Sequence, residues 1–153
     1  MWRDAMLAVT GTLDLAPGGP SIDLADANNH RRTIYGTVVR EELNGMLQMH
    51  DFPEPTSHSP RREPTTSPLQ QLFVLNSPFM HQQADALWER VSVEPDDTAR
   101  IRLCYRLLYS REATEEQVQI GLQFVGDGAD ASRERWLLYL QSLLSLNEFL
   151  FVD

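Results

Sequence analysis

The sequence predicts a mainly α-helical, bundle-like domain that carries a long proline-rich loop and allows a short β-hairpin. Three observations point there. From Thr66 onward, apolar residues recur at helical spacing in successive segments. Helix-start signals of the Ser-Pro and capping-box kinds stand before several of them. Prolines at 53, 55, 60, 64 and 68 bar regular helix or central strand from His50 to Pro68, which must be loop. With 153 residues, 42% of them hydrophobic, the chain suits one domain, since a domain of this size buries roughly 70% of its unfolded surface. A single domain over 1–153 is therefore expected.

Taken in order, Trp2, Met6 and Val9 recur at helical spacing and end at Gly11, a usual helix stop. Met1 leaves little room for an N-cap, so this helix is expected to have continued upstream. Leu13 to Pro20 reads as a turn-rich connection in which Gly18-Gly19-Pro20 reverses the chain. Ile22 and Leu24, then Ile34, Tyr35, Val38 and Val39, are β-prone and flank a polar segment, the pattern that allows the hairpin. Leu43, Met46 and Leu47 support a helical turn or two within Glu41–Met49.

Beyond the proline-rich loop, Ser67-Pro68 and Ser77-Pro78 each pair a favoured N-cap with proline at the first helical position. The first helix is expected to bury Leu69, Leu72 and Phe73, and the second Met80, Ala84, Leu87, Trp88 and Val91. Asp96-Asp97-Thr98 caps a third with Ile101, Cys104, Tyr105 and Leu108 inward. Thr114-Glu115-Glu116-Gln117 is a capping box for a fourth with Val118, Leu122 and Val125 inward, stopped by Gly126-Asp127-Gly128. The last, from about Ala131, turns Trp136, Leu137, Leu140 and Leu144 toward its neighbours.

Composition excludes several classes of function. A net charge of −9 opposes a nucleic-acid surface, which needs clustered positive charge to displace counterions. All thirteen basic residues are arginine, and without lysine there is neither Schiff-base chemistry nor a P-loop lysine. The single cysteine, Cys104, rules out an internal disulfide, a Cys-x-x-Cys redox pair and a Cys-x-x-Cys-His haem attachment, and its apolar setting marks it as a core residue. No stretch approaches the roughly 18 apolar residues of a membrane span. The N-terminus lacks a basic region followed by an apolar run, so no signal peptide is expected in this chain.

Candidate chemistry is sparse. His50, Asp51 and His58, with His30 or His81, match no compact metal signature, and no metal site is expected. Asp51 or Glu63 beside a histidine would need a nucleophile within reach, and there is no Gly-x-Ser-x-Gly elbow. No catalytic residue is assigned and no cofactor is expected. Thr65-Thr66 reads as capping rather than as nucleophile. The arginine pairs are the candidate ligand-binding residues. Arg31, Arg32, Arg61 and Arg62, near Asp51, carry guanidinium forks suited to the carboxylates of an acidic glycan. The same forks suit loop carbonyls and carboxylates of the chain itself, and both readings are kept. Arg100, Arg102, Arg106 and Arg111 read as the solvated face of one helix.

The order of motifs carries a resemblance. Arg3-Asp4-Ala5-Met6-Leu7-Ala8-Val9-Thr10-Gly11-Thr12-Leu13-Asp14, Gly18-Gly19-Pro20 and Arg31-Arg32-Thr33-Ile34-Tyr35 open the pattern, and Arg61 to Phe79 follows. Arg100 to Leu108, Arg111-Glu112-Ala113-Thr114-Glu115-Glu116 and Leu143 to Leu150 complete it. In that order they resemble the planctomycete-type C-terminal domain of unknown function 1553 (PSD family). The turn His50-Asp51-Phe52 departs from it, since the family tends to place an aromatic before the aspartate. The resemblance implies that the chain is the C-terminal part of a larger family domain, from a large exported protein, periplasmic or extracellular. It also implies that other domains of that protein or of an associated one are the partners, with a c-type cytochrome domain often nearby. From these features the chain is expected to be a noncatalytic structural or interaction module. The alternative is a polysaccharide-degrading enzyme, or an accessory module, holding acidic sugars through the arginines.

Overall fold

Helix-forming stripes become helices wherever a cap and an apolar face coincide, and in the computed structural model that rule produces a mainly helical protein. The structure describes residues 2–39, 45–49, 68–126 and 132–150. The elements are α1 (Trp2–Thr10), a 3₁₀ turn (Thr33–Tyr35), α2 (Gly45–Met49), α3 (Pro68–Asn76) and α4 (Pro78–Val91). They continue with α5 (Asp97–Tyr109), α6 (Glu115–Val125), α7 (Arg133–Leu144) and α8 (Asn147–Leu150).

The caps act as their chemistry requires. Ser77 accepts from the Met80 amide, Asp96 from Ala99 and Ser132 from Arg135, each satisfying an amide that the first helical turn leaves without a partner. Thr114 and Gln117 form the full capping box, side chain to backbone in both directions. Pro78 stands at the start of α4, where its missing N–H costs nothing.

Packing centres on α4 and α7, which lie against each other; α4 also meets α1, α3 and α5, and α7 also meets α5, α6 and α8. Met80, Ala84, Leu87 and Val91 of α4 interleave with Trp136, Leu140 and Leu144 of α7, all fully or almost fully buried. The expected inward residues of α5 are all buried, as are Val118 and Val125 of α6, with Leu122 half-buried. The helix α3 departs from expectation: among its described side chains, which do not include Leu69, Leu72 is exposed, Phe73 is half-buried and Val74 is buried. Proline at its first position sets its start, but the face that α4 covers holds Val74 rather than Leu72.

No hairpin forms within residues 21–39. The chain makes two isolated bridges instead, Asp14 with Arg31 and Ile22 with Gly36, and both are parallel. Parallel neighbours cannot be joined by a tight turn, and here the intervening chain passes through Asx turns, in which Asp23 accepts from Ala25 and Asp26 from Asn28, and the 3₁₀ turn. The β-prone residues Ile34, Val38 and Val39 are exposed as a result. This irregular segment, residues 12–37, is the strap that lies across α1. The proline-rich loop expected from His50 to Pro68 falls almost wholly outside the described residues.

Candidate functional site

The densest polar arrangement among the described residues joins the first turn of α1 to the strap. The buried stripe of α1 is Arg3, Met6, Leu7 and Thr10, spaced i, i+3, i+4, i+7, so a charged residue stands in line with the core. Arg3 is only 3% exposed. Its guanidinium donates to the Arg31 carbonyl at 2.7 Å and to the Asn29 carbonyl, and it lies 5.8 Å from the Phe79 ring centre. Desolvation lowers its pKa from the ordinary value, and the Asp4 carboxylate, 3.9 Å away, opposes that shift. Asp4 faces the same segment, where its Oδ1 accepts from the Thr33 amide at 2.7 Å and the Thr33 hydroxyl at 2.6 Å. A carboxylate in the first turn of a helix is also favoured by the helix dipole.

Arg31 repeats the device from within the strap. It donates to the Pro20 carbonyl at 3.0 Å and to the Gly18 carbonyl, and its guanidinium lies 4.3 Å from the Tyr35 ring centre. The Tyr35 hydroxyl accepts from the Gly18 amide at 3.1 Å, closing the loop. Gly19, at φ +89°, brings its backbone close enough that a Cβ there would stand 3.3 Å from the Arg31 guanidinium. Guanidinium forks satisfy carbonyls that an irregular strap has no ladder to satisfy.

At the other end of α1, Thr10 Oγ1 lies 2.7 Å from Oε1 of the buried Gln83 of α4. Arg90 of the same helix donates to the Val9 carbonyl at 2.6 Å, a cation on a helix C-terminus. An apolar pocket of 290 Å³ opens beside the strap, walled by Leu24, Ala27, Met46, Phe73, Pro78 and Phe79.

Of the candidate ligand-binding residues, Arg31 is engaged with the strap backbone, while the exposed Arg32 side chain has no hydrogen bond or ion pair among the described residues. The two neighbours are thus split between inside and outside. Asp51, Arg61 and Arg62 lie outside the described residues, as do His50 and His58. Among the described residues no three histidine, cysteine, aspartate or glutamate side chains gather as metal ligands would. Burial pushes the Cys104 thiol up to about 12, so it carries no thiolate at neutral pH. Sequence reading passed over Arg3 and Asp4. Their signal was that Arg3 stands three and four residues before Met6 and Leu7, on the stripe that turns inward.

Residues 1–125 match the family described as PSD1, Protein of unknown function (DUF1553). The chain belongs to that family. The match takes in α1, the strap and the helices through α6, while α7, which supplies Trp136, Leu140 and Leu144 to the core, and α8, which supplies Phe149, follow it. No curated protein and no solved structure matches the chain.

Proposed function

We propose that this PSD1 chain is a noncatalytic structural or interaction module of a large exported bacterial protein, bearing on other domains of that protein or of an associated one. The observation that carries the reading is the double arginine anchorage. Arg3 and Arg31, with Asp4, spend their charge on fixing an irregular strap against α1. One buried charge, Arg3, and two half-buried ones, Asp4 and Arg31, are committed to shape, and the shape they maintain presents Leu15, Ile34, Val38 and Val39 to solvent. Apolar side chains held outward on an ordered segment suit contact with an adjoining domain.

Arg31 also bears on the acidic-glycan reading, because a guanidinium already bonded to two carbonyls and stacked on Tyr35 has few donors left for a sugar carboxylate. The test separates these roles. An Arg31→Gln variant and the parent chain are compared by thermal unfolding and by calorimetric titration with oligogalacturonate as the acidic-glycan probe. The expected result is a lower melting temperature for the variant and no heat of binding for either protein. Binding by the parent that disappears in a variant of unchanged melting temperature would overturn the reading.

A further inference from the structure

We draw no further inference here: the strongest candidate, the apolar pocket of 290 Å³ between Leu24 and Ala27 of the strap, Met46 of α2 and the α3–α4 junction at Phe73, Pro78 and Phe79, carries none, because nothing in the structure shows what covers it.

Discussion

Arg3→Met tests the anchorage of the strap with the least disturbance to packing, because methionine retains most of the aliphatic stem and removes the guanidinium. The substitution strips a donor from the Arg31 carbonyl, bonded at 2.7 Å, and another from the Asn29 carbonyl. The approach to Thr33 Oγ1, at 3.5 Å, is too long to count as a third. Each buried carbonyl left without a donor costs about 1–3 kcal/mol, so the gross loss is about 2–6 kcal/mol. Part of that is returned, because the desolvation that lowers the Arg3 pKa is relieved when the charge goes, and a net loss of about 2–4 kcal/mol is expected. For a domain of this size that lowers Tm by roughly 5–15 °C. Urea unfolding followed by far-UV circular dichroism gives the free energy, and hydrogen exchange gives its location. The amides of Asp14, Ile22 and Thr37, bonded to carbonyls within the strap, should lose protection well before amides of α4 and α7. A loss below about 0.5 kcal/mol, or one with strap protection unchanged, would refute the claim that Arg3 holds the strap.

Three further outcomes are expected. Gly121→Ala should destabilise the chain by about 1–3 kcal/mol, because the new Cβ would stand 2.7 Å from Tyr139 Oη and 2.8 Å from Ile101 Cδ1, outweighing the roughly 1 kcal/mol of helix propensity gained. A rise in urea midpoint would contradict this. Glu148→Gln should cost less than about 1 kcal/mol at pH 7, since the Arg111 pair is partly exposed. Arg111 holds the Glu148 carboxyl below its ordinary pKa, so its contribution is present above the ordinary glutamate range and is lost as pH falls through the lowered value. The difference between variant and parent should therefore shrink on acidification, and a constant difference would exclude the ion pair as its source. Cys104, buried and raised to about 12, should react with a thiol reagent only as fast as the fold opens. Because its folded pKa lies above the unfolded one, its neutral thiol costs nothing below about pH 8 and increasingly favours unfolding as pH rises past the ordinary cysteine value. Labelling in native buffer at the rate of the unfolded chain would be the contrary result.

The helical half was legible from residue order because its determinants are local. Ser77-Pro78, Asp96, the Thr114/Gln117 box and Ser132 specify where α4, α5, α6 and α7 begin through bonds spanning only three residues. The inward stripes of α4, α5 and α7 follow from a period that is fixed whatever the neighbours do. In α3 the same logic gave the start but placed Leu72 inward, because nine residues contain almost every phase of an apolar stripe and only the position of α4 selects one.

The strap was not legible, for a corresponding physical reason. Ile22, Leu24, Ile34 and Val38 carry β propensity, and propensity expresses itself only when a partner strand is in register. Here residues 29–33 are held by the side chains of Arg3 and Asp4, some thirty residues away in sequence, and the strap backbone pairs with itself only at two isolated bridges. Likewise the inward turn of Arg31 and the outward turn of Arg32 follow from where Gly18 and Pro20 come to rest, which no spacing within the pair encodes. Sequence alone therefore determined the helices, their caps and the family, since each rests on short-range chemistry written in residue order. Tertiary structure alone decided which charges are buried and what they hold, because burying a guanidinium is tolerable only where distant carbonyls converge on it.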